Sequence, residues 1–126
     1  YAFTELRTLF ERGTPERDFM RNAHFTCGLL VLGLAIVRLA ARVVGGTPPI
    51  TPAPPAWQRW AARLSHALLY AFMLGMPLLA WTMMGLRGDE VLFFGIIELP
   101  AIAAENKELG KVLRQWHGDI GRAVYV

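Results

Sequence analysis

Two long apolar blocks dominate the chain, and charged residues are concentrated in the stretches between them. From Leu64 to Leu86 the sequence LSHALLYAFMLGMPLLAWTMMGL contains no Asp, Glu, Lys or Arg. At about 1.5 Å per helical residue this block reaches roughly 34 Å, enough to cross a hydrocarbon core about 30 Å thick. The block from Ala23 to Val44 is equally apolar until Arg38 and Arg42 near its far end. A soluble helical domain would carry charged faces along its helices. The pattern therefore predicts membrane-spanning helices over residues 23–44 and 64–86, and the start of a last helix over residues 116–126. Within residues 87–115, VLFFGIIELPAIAA is apolar but too short to span, and Glu98 and Pro100 interrupt it. This segment is expected to lie at the interface as a cap over the outer end of a helical bundle.

The connectors set an expected topology. Residues 1–22 balance Glu5, Glu11, Glu16 and Asp18 against Arg7, Arg12, Arg17 and Arg21, and read as a polar outer connector. Residues 45–63, GGTPPITPAPPAWQRWAAR, are rich in proline and cannot be helical through their middle, so an extended loop is expected. Arg38, Arg42, Arg59 and Arg63 surround that loop without any acid. Residues 87–115 instead set Arg87, Lys107, Lys111 and Arg114 against Asp89, Glu90, Glu98, Glu105 and Glu108. The preference of cytoplasmic loops for Lys and Arg puts the proline-rich loop inside and the other two connectors outside, in a bacterial cell the periplasm. Trp57, Trp60, Trp81 and Trp116 fall near the expected interfaces, as an aromatic belt would.

Composition supports the same class. The chain is 54% hydrophobic and only 18% charged, outside the range of ordinary soluble domains. It is expected to be an all-α integral membrane protein of the bacterial inner membrane, with lipid as its immediate partner. The net charge of +3 is explained by topology and implies no nucleic-acid partner. Neither apolar block is a signal peptide, being internal and too long. The absence of an initial Met, the opening YAFTELRTLF and the short final block read as a fragment of a longer membrane protein. The sole cysteine, Cys27, excludes an internal disulfide and reads as a small packing residue, and no CxxCH offers covalent haem attachment.

Candidate chemistry lies in the three histidines, each near the start of an apolar run. A titratable ring at membrane depth marks a functional position by default. If the helices alternate in direction, His24 and His117 share the outer depth while His66 lies at the inner one. Two imidazoles at matched depth on neighbouring helices are what six-coordinate haem iron needs. Gly28 and Gly121 each follow one of these histidines by four residues and share its helix face, leaving a side-chain-free patch for a flat macrocycle. Gly118 adds space beside His117. The alternative reading is of interfacial histidines bonded to carbonyls, with the glycines as close-packing positions. His66, with Tyr70 and Met73 on its face, suits an inner haem, a quinone headgroup or a simple interfacial role. Arg38 lies fourteen residues beyond His24, roughly 21 Å deeper on nearly the same face. It suits an inner haem propionate, or, with Arg42, a snorkelling anchor. Gly75 and Pro77 are expected to bend their helix. Lys107, Lys111, Arg114 and Arg122 can steer a small anion toward the outer face.

At HFTCG, VRLAARVVGGTPPITPAPP, LSHALLYAFMLGMPLLAWTMM and LRQWHGDIG, the chain resembles the bacterial cytochrome b561 family. These four separated motifs occur in family order and extend the resemblance over essentially the whole chain. The resemblance implies a membrane four-helix bundle holding two b haems, of which this chain completes one site. It implies His24 and His117 as axial ligands of the outer haem and His66 near the inner, quinone-side end. It further implies electron transfer between a periplasmic donor, superoxide included, and ubiquinone, as a superoxide:quinone oxidoreductase. Two departures stand out: the family's inner-haem histidines on its first and fourth helices have no counterpart here, and Arg63 occupies a place where a second histidine can precede the His66 position. Two competing readings are a haem-b anchor subunit of a hydrogenase or formate dehydrogenase complex, and a cofactor-free membrane scaffold.

Overall fold

The computed structural model describes residues 2–46 and 50–125, so residues 47–49 of the proline-rich loop, together with Tyr1 and Val126, lie outside the described residues. The chain is mostly helical. Its elements are α1 (Ala2–Leu6), a 3-10 turn (Arg7–Leu9), α2 (Pro15–Gly45), α3 (Ala56–Arg87), β1 (Val91–Phe93), β2 (Ile97–Leu99) and α4 (Lys107–Tyr125). Both α2 and α3 are long and apolar enough to cross a membrane.

The helices start earlier than the hydrophobic blocks do, and local chemistry explains each start. α2 begins at Pro15 rather than near residue 23, because Pro at the first position and the acids Glu16 and Asp18 in the first turn favour a helix start. α3 begins at Ala56 as soon as the proline run ends, so the second half of the expected 45–63 loop is helical. It continues through Pro77 to Arg87. α4 begins at Lys107 rather than 116, because Asn106 Oδ1 accepts the Leu109 N–H at 3.1 Å as an N-terminal cap. The hydrophobic pattern missed these turns because charged and amide residues interrupt them, while helix starts are set by local backbone preference and, at α4, by a cap.

The apolar stretch expected to lie at the interface as a cap is a short antiparallel hairpin. Val91 pairs with Leu99, Leu92 with Glu98 and Phe93 with Ile97. The chain reverses through Phe94 and Gly95, whose φ values of 54° and 73° are the positive pair that primed hairpin turns require. The Ile96 N–H donates to the Phe93 carbonyl at 3.3 Å across the reversal. Positive φ is unfavourable for a bulky residue, and Phe94 is held there by its N–H donating to Thr26 Oγ1 of α2 at 3.0 Å. Between α3 and the hairpin, Gly88 adopts φ 72°. The Gly88 N–H reaches the Gly85 carbonyl at 3.1 Å and the Asp89 N–H reaches that of Met84 at 3.0 Å, a Schellman ending that glycine permits.

Packing is organised around α3, which contacts both α2 and α4, while α2 and α4 do not pack directly on each other. The small core sits at the end of α3 nearest the hairpin, where Met83, Met84 and Val91 are buried against Phe25, Leu29, Trp81, Leu99 and Leu113. Trp81 also braces the fold: its Nε1–H donates to the Pro100 carbonyl at 3.0 Å. Trp57, Trp60 and Trp116 are exposed. So are Leu34, Val43, Leu64, Leu68 and Leu69 along the helices, as lipid-facing positions are.

Thr26 ties the hairpin to α2, so Thr26→Val, which keeps the shape and removes the acceptor, strands the Phe94 N–H. Thermal unfolding in detergent should show a loss of about 1–3 kcal/mol, and Thr26→Ser should retain most of the stability.

Candidate haem site between two helices

Because α3 separates α2 from α4, a cleft remains between the latter two, and their histidines meet across it. His24 projects from α2 and His117 from α4, with ring centroids 6.1 Å apart and ring planes at 89°. An imidazole nitrogen binds a metal at about 2 Å, and the ring centre lies about 1 Å further out, so rings on opposite sides of one ion have centres about 6 Å apart. The observed pair has that spacing. Among the described residues no group of three or more His, Cys, Asp or Glu stands together as a metal site. The pair therefore suits an ion that arrives with its other ligands already attached, as haem iron does.

The surroundings fit such a group in shape and polarity. The cleft has a volume of about 560 Å³ and is walled by Phe25 and Leu29 of α2, Phe72, Met76 and Ala80 of α3, and the α4 backbone. That is within the range of sites for small molecules and cofactors, and its lining is mainly apolar, as those sites are. Gly28, Gly118 and Gly121 all line it. A Cβ added at Gly28 or Gly118 would meet nothing within 4 Å, and one at Gly121 only Met76 Cε at 3.9 Å. These glycines are therefore not close-packing contacts between helices; they keep the cleft wide beside each histidine. The close helix approach lies elsewhere, at Gly110, where a Cβ would fall 2.6 Å from Arg87 Cγ.

The two rings are held differently. The chain folds α1 back along α2, which brings Thr4 Oγ1 to 3.4 Å from His24 Nδ1, a long contact that leaves Nε2 as the free coordinating atom. A second partner of this kind commonly orients a metal-binding histidine. His117 Nδ1 is buried without a hydrogen-bond partner, although the Met76 carbonyl lies near the ring. Buried ring nitrogens are ordinarily paired, so His117 has bonding capacity left over.

Of the sequence-predicted residues, His24, His117, Gly28, Gly118 and Gly121 come together at this cleft. His66 and Arg38 do not: both are exposed, on α3 and α2 respectively, and neither lines this cleft. Cys27, expected to be a packing residue, is exposed and sits on the cleft wall, because its helix face turns toward the gap and not toward a neighbouring helix. Thr4, Phe72 and Met76 were not foreseen. Thr4 joins the site only through the reversal after α1, and no spacing along the chain signals that. Phe72 and Met76 lie four apart on one face of α3, but an apolar face is indistinguishable from a lipid-facing one until a neighbour is placed beside it.

Comparison with known proteins agrees with this architecture. The chain is 35% identical over 117 residues to "Cytochrome b561 homolog 1" of Escherichia coli (strain K12), covering 93% of this chain and 66% of that protein. It is 28% identical over 109 residues to "Probable superoxide oxidase CybB" of Yersinia pestis, covering 84% of this chain and 61% of that protein. It thus spans just under two thirds of the length of these curated relatives. The family model for prokaryotic cytochrome b561 matches residues 1–126, and the chain belongs to that family of integral membrane proteins.

Proposed function

We propose that this chain forms the outer haem-b site of a membrane cytochrome that carries electrons between a periplasmic donor and the quinone pool. The observation that carries the proposal is the meeting of His24 and His117, 6.1 Å apart, across a cleft that glycines keep open. Family membership supports it. His24 and His117 would hold the iron, and Gly28, Gly118 and Gly121 would leave room for the macrocycle. When bound, the group supplies reversible one-electron chemistry at the iron.

The protein's own residues do the rest. Phe25, Leu29, Phe72 and Met76 exclude water from the cleft, which disfavours the more highly charged oxidation state of whatever lies there. Thr4 fixes the His24 ring. No general acid or base is required at this end, because a one-electron donor gives up no proton. Superoxide is the donor favoured here, since a relative carries the name of a probable superoxide oxidase. Two superoxide anions would yield two molecules of oxygen, and ubiquinone would take the two electrons with two protons to become the quinol. His66 is proposed to face the quinone, or an inner haem completed by residues outside this chain, and Arg38 an inner propionate. The proline-rich loop is proposed to be cytoplasmic, which places the His24–His117 end at the periplasm of the bacterial inner membrane.

In detergent-solubilised full-length protein, His24→Ala and His117→Ala should each remove one b-type haem from the reduced-minus-oxidised difference spectrum. Retention of the full spectrum in both would overturn the ligand assignment. Filling the cleft should act without touching a ligand: Gly28→Leu should lower haem content several-fold while far-UV circular dichroism shows an unchanged helical content. Superoxide-driven reduction of a ubiquinone analogue should fall to background in the His117→Ala protein. If that protein matched the wild type, superoxide would not enter through this site.

A further inference from the structure

A second cavity, of about 330 Å³, adjoins the main cleft at the histidine pair and shares His24, His117, Phe25 and Gly118 with it. Its lining carries more charge. Arg7, Arg21, Arg87 and Arg114 line it, and among its described lining residues Asp89 is the sole acid. Two of these cations already have partners: Arg21 lies 3.6 Å from Asp18, and Arg87 Nε lies 3.0 Å from Asp89. Among the described residues Arg7 and Arg114 pair with no acid, and Arg7 Nε is buried with no hydrogen-bond partner. Burial first, and then the like charges of Arg17, Arg114 and Arg21, push the Arg7 guanidinium below its ordinary value.

Such convergence is unfavourable unless an anion completes it. Four elements supply the arginines: the turn after α1, the first turns of α2, the end of α3 and the first half of α4. The Arg17 side chain helps fix the first of these, its Nη1 donating to the Phe10 carbonyl at 2.7 Å. A mainly apolar cleft and a cationic basin that adjoin at one pair of histidines match a molecule that is flat and apolar at one edge and carries carboxylates at the other. We propose that the Arg7–Arg114 basin is the carboxylate-binding subsite of the haem site, anchoring the propionates of the tetrapyrrole held by His24 and His117. This rests on the haem reading above and adds an orientation to it: the propionate edge faces the basin, and the vinyl and methyl edge faces Phe72 and Met76. Guanidinium is suited to the role because it presents paired donors to a carboxylate.

The test measures haem retention, not activity. Full-length protein in detergent is mixed with excess apomyoglobin, and the outer-site phase of haem loss is identified as the one missing from His24→Ala. In an Arg7→Gln/Arg114→Gln double variant that phase should accelerate roughly tenfold or more, as expected for losing charge-assisted bonds. Arg7→Lys/Arg114→Lys should recover part of the retention, which separates a charge effect from misfolding. When haem-depleted proteins are reconstituted with iron protoporphyrin IX dimethyl ester, whose carboxylates are blocked, wild type and glutamine variant should release it at the same rate. Equal acceleration with haem and with ester would overturn the proposal in favour of a structural role for the arginines. Unchanged haem loss, with superoxide-driven quinone reduction slowed in the variant, would overturn it in favour of a free small anion in the basin. If wild type showed no phase dependent on His24, the haem reading itself would fail, a result distinct from either of these.

Discussion

The arrangement depends on the spacing that α3 imposes between α2 and α4. Both outer helices pack on α3 but not on each other, so a gap remains wherever their facing residues are small. Gly28 on one side and Gly118 and Gly121 on the other make it wide, and the two imidazoles reach into it from opposite walls. Had the helices closed on each other, as small residues at membrane helix interfaces ordinarily allow, the histidines would have been displaced into lipid or packed together. The gap is stable because its two sides are anchored elsewhere. α4 is fixed to the end of α3 by the Asn106 N–H donating to the Leu86 carbonyl at 2.8 Å and by the close approach at Gly110. α2 is fixed by the hairpin through Thr26.

The distribution of burial follows from the same arrangement. A chain with this much apolar residue would bury a large core in water, yet few residues are buried, most of them around Met83, Met84 and Val91 at one end, with Leu32 and Ala35 further along α2. Along the rest of α2 and α3 the large apolar side chains face outward, where hydrocarbon is the solvent and burial against protein brings little gain. Tertiary order is therefore concentrated at the end that carries the histidines, the hairpin and the returning α1. Packing there sets the two rings facing each other across the cleft.

The two cavities that share the histidine pair differ in lining: mainly apolar side chains in one, and a cluster of guanidinium groups in the other. The basic residues of α4 singled out by their charge are not equivalent in the fold. Lys111 pairs with Glu108 at 2.7 Å and Arg122 pairs with Asp119, both one turn apart on the exposed helix surface, where such pairs contribute little. Arg114 alone of that group turns into the basin.

The sequence alone determined the membrane class and the two spanning helices, and it singled out the histidine pair that the fold brings together. Hydrophobic length, the absence of charge and polar rings at matched depth are properties of single segments and survive without knowledge of neighbours. The glycines at the fourth position after each histidine were legible for the same reason, since helical spacing fixes which residues share a face. Helix starts at Pro15, Ala56 and Lys107 precede the apolar blocks by about a turn or more, because Pro at the first position of α2, the end of the proline run before α3 and the Asn106 cap of α4 decide them, not apolar periodicity. The hairpin at Val91–Leu99 was hidden because its register depends on a positive-φ turn at Phe94 that only the bond to Thr26, sixty-eight residues away, supports. Tertiary structure alone decided that α2 and α4 stay apart, that α1 returns to set Thr4 beside His24, and that arginines from four elements meet in one basin. Those outcomes rest on contacts between residues far apart in the chain, and no local pattern encodes a contact whose partner lies on another element.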